Sequence, residues 1–312
     1  MTDSAAPKRE LPTAPLARYH GEKPAAPDWF TRALKEPFES GVSTVKDAAV
    51  SWKAWGKRGK PGLILIHGGV AHKQWWDAIG PHLGRRRRVV AVDLTGMGDS
   101  DWRDEYRMEL YADEVRTAGR DGGAFDNGKP FIAGHSFGGF VSMVATMSYG
   151  ADLKGAVILD SPIKPPDEQR SSPAPRRGGK VYDRFEDALL RFRLLPNQPC
   201  DNDWLLDHIA RESLKAVDGG WTWKFDPALW QKLVHTRRDP MEMMKAIACP
   251  VAFFRGAQSE LVTDEIWGFM KAVFKDAPMV SIPEAEHHLI LDQPLAVCTA
   301  LDALFASGWG QD

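Results

Sequence analysis

The sequence predicts an α/β fold: a mostly parallel sheet with helices on both faces and a helical insertion after the sixth strand. Three observations carry this. Short, wholly apolar runs, such as residues 63–66 and 89–92, alternate with longer segments of helical spacing. A strand with no polar face needs cover on both sides, as in a parallel sheet under crossover helices. The alternation breaks between Ser161 and Ala246, where a stretch rich in Pro, Ser, Arg and Gly is followed by three helical patterns. At 312 residues, 43% of them hydrophobic, the chain is long and apolar enough for one large domain with an inserted subdomain.

Taken in order, strands are expected at 42–46, 50–55, 63–66, 89–92, 130–134, 155–159, 251–254 and 279–282. Helices are expected at 73–83, 107–120, 137–149, 263–274 and 295–305. The first two strands are close enough in sequence for an antiparallel hairpin at one edge. Within the insertion, helical patterns cover 185–193, 203–217 and 227–234, with Trp204, Trp221, Trp223 and Trp230 among them. Trp221 and Trp223 follow Gly219-Gly220 and alternate as on a strand. Residues 1–27, rich in Ala, Pro and charge, are expected to be disordered or loosely draped. The division that follows is 28–160 with 247–312 as the core and 161–246 as a cap.

Forty Lys and Arg against 42 Asp and Glu leave a net charge of −2, so neither nucleic acid nor an anionic membrane is an expected partner. The basic run Arg85 to Arg88 reads as a solvated helix end before a strand. Cys200, Cys249 and Cys298 are too few and too scattered for a disulfide framework or a zinc site, and no His/Cys/carboxylate set has metal-ligand spacing. No secretory signal and no run of membrane-spanning length is visible. The expectation is a cytoplasmic protein with no cofactor and no metal. Its partner is a small-molecule substrate, and a homodimer is the one assembly to test for.

The chemistry is carried by Gly134-His135-Ser136-Phe137-Gly138, which joins an apolar strand to a helical run. A glycine-flanked serine at a sharp strand-to-helix turn is the pattern of a nucleophile elbow, G-x-S-x-G. The glycines give room for a strained turn that lifts Ser136 Oγ clear of the sheet and aims a helix N-terminus at developing negative charge. Upstream, His67-Gly68-Gly69 closes a strand, a turn that can offer a backbone N–H to an oxyanion. Downstream, Glu284-Ala285-Glu286-His287-His288 precedes Pro294. The order is oxyanion turn, serine, histidine.

These motifs, with Asp93 to Ser100 and the 157–162 run ending in Asp160-Ser161-Pro162, resemble the α/β-hydrolase fold in its bacterial, capped, esterase-like form, over most of the chain. The resemblance implies Ser136 as nucleophile and His287, placed relative to Pro294, as its base. It implies oxyanion donors from Phe137 and from Gly69 or Val70, and a cap after the sixth strand whose Trp204, Trp221 and Trp223 wall a substrate pocket. His288, His135 and His67 then read as packing or structural residues, and Asp93 as the anchor of the Gly96 to Gly98 turn. The triad acid has two candidates. Glu260 is the only acid in the loop after the seventh strand, where the fold usually places it, and Asp160 ends the sixth strand. The activity implied is hydrolysis of an ester or similar acyl bond of a small, fairly apolar molecule. Other Ser/His chemistry of the fold (C–C bond hydrolysis, cyanohydrin cleavage, perhydrolysis, cofactor-free oxygen chemistry) and a binding protein with vestigial turnover stay open.

Overall fold

The computed structural model of the chain describes residues 13–165, 179–234 and 240–310. Its strands are β1 (Glu39–Val45), β2 (Ala48–Trp55), β3 (Gly62–Ile66), β4 (Arg88–Val92), β5 (Phe131–His135), β6 (Gly155–Leu159), β7 (Leu214–Val217), β8 (Gly220–Trp223), β9 (Val251–Gly256) and β10 (Met279–Ile282). Eight of them form one sheet in the order β1-β2-β4-β3-β5-β6-β9-β10. The expected edge hairpin is there: β1 and β2 are antiparallel, and β2 joins β4 antiparallel. The six strands from β4 to β10 run parallel.

Period two sorts the apolar residues of the central strands onto two faces. Leu63, Leu65, Val89, Ala91, Phe131, Ala133, Val157 and Leu159 enter one core, and Ile64, Ile66, Val90, Val92, Ile132, Ala156 and Ile158 enter the other. The first face is covered by α1 (Asp28–Ala33), α2 (Gly80–Gly84), and by α10 (Leu289–Asp292) and α11 (Pro294–Ala306). The second is covered by α3 (Met108–Asp121), α4 (Phe137–Tyr149) and α9 (Asp264–Val273). Every residue of β3, β4, β5 and β6 is buried. Burying one such aliphatic side chain stabilises the fold by about 1.5–3 kcal/mol, so the sheet is a firm base for whatever its carboxyl edge carries.

Between β6 and β9 the chain builds α5 (Phe185–Leu189), α6 (Asp203–Glu212), the β7–β8 hairpin, α7 (Leu229–Lys232) and α8 (Pro240–Ala246). Much of the expected connector at 162–180 lies outside the described residues. The helical pattern at 203–217 splits, because Asp218-Gly219 turns the chain and pairs 214–217 with 220–223. The pattern at 73–83 splits as well: a 3-10 turn covers Lys73–Trp76, and α2 restarts at Gly80 with Pro81, which has no N–H to continue a helix, in its first turn. Asp226 ties the insertion to the core, accepting from Tyr106 Oη at 2.9 Å and from Lys232 Nζ at 2.8 Å.

The N-terminal segment is more ordered than its composition suggests. Leu16 is buried in the first core, Arg18 and Tyr19 both bond the Asp203 carboxylate, and Arg211 donates to Gly21 O at 2.6 Å. Residues 1–12 of the segment expected to be disordered lie outside the described residues. Among the described residues no helix is long and apolar enough to cross a membrane.

Candidate active site

Ser136 stands between β5 and α4 with φ 53° and ψ −116°, a conformation that costs a non-glycine residue on the order of 1–3 kcal/mol. Its neighbours explain the motif. A Cβ on Gly134 would overlap the carbonyl of Gly138, and one on Gly138 would come within 2.5 Å of the Ile66 and His67 carbonyls. Only glycine lets β5 enter, and α4 leave, this close to β3. Ser161 Oγ holds the turn by donating to Ser136 O at 2.7 Å.

His287 lies on the loop between β10 and α10, and it meets both expected partners. Its Nε2 is 2.9 Å from Ser136 Oγ and its Nδ1 is 2.9 Å from Asp160 Oδ1. Asp160, wholly buried at the end of β6, also accepts from Gly256 N at 2.7 Å and from Ser259 Oγ at 2.6 Å. Its two oxygens thus face two fixed donors and the imidazole. With Asp160 accepting, the tautomer that satisfies both links carries the proton on Nδ1 and leaves the Nε2 lone pair toward Ser136 Oγ.

Of the two candidate acids the structure therefore brings Asp160, and not Glu260, to the imidazole. Glu260 is exposed. The place it was expected to fill is taken by the backbone N–H of Gly256 and the hydroxyl of Ser259, both aimed at Asp160.

The other histidines are packed around the relay. His135 and His288 stand 4.9 and 4.8 Å from the His287 ring, and their ring nitrogens come within 4.8 Å of one another. Burial pushes His135 down to about 3 and His288 well below the ordinary imidazole range, so both stay neutral. A charge placed on His287 would therefore have no second imidazolium beside it. His288 N–H donates to Gln198 Oε1 at 2.9 Å, and Gln198 Nε2 donates to the Asp292 carboxylate, which also accepts from Glu286 N at 2.8 Å. A residue of the insertion thus clamps the histidine loop from outside. No local signal marks Gln198, because its partners lie some 90 positions away.

The His67-Gly68-Gly69 turn lies against the elbow. His67 accepts from Leu94 N at 3.1 Å and donates from Nδ1 to Gly68 O at 2.7 Å, a structural role. The Val70 N–H faces Met97 Sδ at 3.2 Å, whereas the N–H groups of Gly69 and Phe137 bond no other protein group among the described residues. A Cβ on Gly69 would sit 3.6 Å from Phe137 Cβ, so the two residues lie side by side at the elbow. Asp93 anchors the Gly96 to Gly98 turn through Asp99 N at 2.8 Å and holds Lys73 as well.

The tryptophans divide. Trp223 lines a cavity of about 750 Å³ that starts at Gly69 and Val70. Trp204 instead packs on Trp29 and Phe30 and ties the insertion to α1, and Trp221 packs edge-on against Phe185 within the insertion; neither lines that cavity. Two residues absent from the sequence-based pocket stand closer to the chemistry. Trp230 covers Gly69 and meets the Phe137 ring edge-on at 5.4 Å, and Trp75 lines the cavity while packing on His135 and His288.

Comparison with known proteins agrees with this architecture. Esterase Rv0045c of Mycobacterium tuberculosis is 26% identical over 276 residues, 82% of this chain and 86% of that protein. The 2-(acetamidomethylene)succinate hydrolase of Mesorhizobium japonicum is 26% identical over 239 residues, 73% of this chain and 82% of that protein. The crystal structure of the Rv0045c esterase aligns with a TM-score of 0.70 at 21% identity, over 96% of this chain and 100% of that one. A crystal structure of E-2-(acetamidomethylene)succinate hydrolase aligns at 0.72, also at 21% identity, over 87% and 100%. The alpha/beta hydrolase family matches residues 63–300, a span that holds the oxyanion turn, the elbow, Asp160 and His287. On that match, and on the sheet that carries these residues, the chain belongs to the alpha/beta hydrolase family.

Proposed function

We propose that the chain is a serine hydrolase that cleaves an ester or comparable acyl bond of a small molecule through an acyl-enzyme. The observation that carries this is the continuous relay Ser136 Oγ, His287 Nε2, His287 Nδ1, Asp160 Oδ1, with both links at 2.9 Å. Ser136 Oγ attacks the acyl carbon while its proton passes to His287 Nε2. Asp160 keeps the imidazole in the needed tautomer and stabilises it once charged. The oxyanion forms against the N–H groups of Gly69 and Phe137, the latter at the positive end of α4. The carbon–oxygen bond to the leaving group breaks, and His287 returns the proton to that oxygen. Water then enters, gives a proton to His287 and attacks the acyl carbon, releasing the acid and restoring Ser136.

The esterase name of the Mycobacterium tuberculosis relative supports this choice among the chemistries open to the fold. A fluorophosphonate probe followed by peptide mapping tests it: label on Ser136, prevented by His287→Ala, is the expected result. A para-nitrophenyl ester should also give a burst of nitrophenolate stoichiometric with protein if deacylation is slow. Absence of label together with absence of turnover removes the serine-hydrolase reading and leaves a binding protein.

A further inference from the structure

The cavity beside the oxyanion turn has an uneven lining. Around Gly69 and Val70 it is lined by His72 and Ser213 as well as by apolar side chains, among them Trp75, Phe192, Trp223 and Phe225. Its remaining lining includes Lys180, Arg191, Arg193 and Lys224, and no carboxylate lines it. A chain with net charge −2 has no general excess of cations to spread there, so four on one cavity is a local concentration. Lys224 is already paired, with Asp99 at 2.9 Å. Lys180 lies over the Tyr182 ring, and among the described residues Lys180, Arg191 and Arg193 make no ion pair. Cations grouped at a cleft, without acids among them, raise the local concentration of anions and select for them.

The position of the cavity says which part of the substrate reaches it. Of the groups around the reacting serine, Gly69, the donor to the acyl oxygen, lines the cavity, whereas Ser136, Phe137 and His287 do not. The cavity thus opens from the oxyanion turn. We infer that this cavity takes the acyl side of the substrate, and that the preferred acyl group is a short chain carrying an anion, a carboxylate or phosphate, held by Lys180, Arg191 and Arg193. This rests on the serine-hydrolase reading above and narrows its substrate class. A volume of about 750 Å³ suits an acyl group of that size.

The test compares the mono-para-nitrophenyl ester of glutaric acid with a neutral ester of the same shape, an isopropyl group replacing the carboxylate. At low ionic strength the anionic ester should show kcat/KM about tenfold or more above the neutral one, chiefly through KM, as expected for a few part-exposed charge contacts acting together. The advantage should shrink in half-molar salt and fall toward one in the Arg191→Glu, Arg193→Glu double variant. A phosphonate in place of the carboxylate tells which anion is favoured. A wild-type ratio of one or below, with Ser136-dependent turnover of both esters, overturns the inference and leaves the hydrolase reading standing. If neither ester is turned over, that reading fails first. Calorimetric binding of glutarate, abolished in the double variant, then still sustains the anion site, and no binding overturns it.

Discussion

Replacing Asp160 by Asn is the sharpest perturbation of the relay. The carboxylate is acceptor-only and receives three bonds, from Gly256 N at 2.7 Å, Ser259 Oγ at 2.6 Å and His287 Nδ1 at 2.9 Å. An amide of the same shape offers one accepting oxygen and one donating NH₂. With the oxygen toward Gly256, the NH₂ faces Ser259 and His287. Ser259 Oγ already accepts from Leu261 N and Val262 N, so its hydroxyl turns away and that one bond is lost. His287 can meet an N–H only with a bare Nδ1, which moves its proton to Nε2, against Ser136. That nitrogen then has no lone pair to take the serine proton. The opposite orientation sets NH₂ against the Gly256 N–H and leaves buried donors facing each other, at a cost of about 1–3 kcal/mol. The first orientation wins, and with it the inactive tautomer. The expected loss in kcat is about 10⁴-fold, or roughly 5 kcal/mol of barrier, the size known for this change in other triads. The backbone tolerates the change, because Asp160 has φ 48° and asparagine visits that region readily. Steady-state hydrolysis of a para-nitrophenyl ester, with a thermal melt to show that the fold persists, measures the effect. Glu260→Gln, at an exposed position, should stay within about twofold of the parent. If Asp160→Asn keeps more than a tenth of the activity while Glu260→Gln loses most of it, the relay drawn from the geometry is wrong.

Ser136→Ala should lower ester turnover by at least about a thousandfold with the fold retained, and activity within tenfold of the parent in a steady-state assay would refute the nucleophile. His287→Ala should match it, whereas His288→Ala, which removes only a buried neutral ring, should be clearly milder on the same assay. Gly69→Ala should lower kcat by about tenfold or more, because the new Cβ would stand 2.7 Å from the Trp230 ring and push the oxyanion turn off its donors; unchanged kinetics would show that Gly69 N–H is not used. Asp292 gives a pH prediction. Burial, with Glu286 and Asp201 adding to it, pushes its carboxyl up to about 7, from about 3.9 in an unfolded chain. The folded state therefore holds that proton more tightly, a stabilisation complete below about pH 4 and lost as pH rises through about 7. Thermal melts should show Asp292→Asn losing less stability than the parent between pH 5 and 8, by on the order of 1–3 kcal/mol; equal losses would refute this.

The sheet was legible because its signals are local and redundant. Wholly apolar five-residue runs such as 62–66 and 155–159, each ended by a turn, can hardly be read otherwise, and they are strands buried at every position. Elements misread by sequence are those where one residue redirects the chain against a good periodic pattern. Pro81 interrupts 73–83, and Asp218-Gly219 folds the end of 203–217 into a hairpin. The segment after residue 12, expected to be disordered or loosely draped, lies against the rest of the chain for a reason its composition does not show. Its composition is that of a tail, but Leu16, with Tyr19 and Ala26 beside it, packs on the first core, and Arg18 and Tyr19 bond Asp203 of α6, which is far away in sequence.

Ser136 and His287 were legible for the same reason as the strands, since their motifs are compact. The acid was not, and the reason is geometric. Ser136 follows β5 and Asp160 follows β6, and these strands are register neighbours, with His135 opposite Leu159. An acid directly after β6 is therefore one strand spacing, about 4.8 Å, from the elbow. An acid after β9 starts one strand further away and must reach back. The sequence shows which loop holds an acid, but not how far each loop reaches. What decides between them is a count of donors. The loop after β9 turns Gly256 N–H and the Ser259 hydroxyl toward Asp160, two donors that suit one buried carboxylate and would be redundant if the loop brought a carboxylate of its own. A second acid at that spot would set two negative charges within a few ångströms, and one of them would have to take up a proton. The serine at 259, bonded to Asp160 while the neighbouring Glu260 is exposed, is the local counterpart of the acid at 160. Together they are the signal that a search for an acid alone passes over.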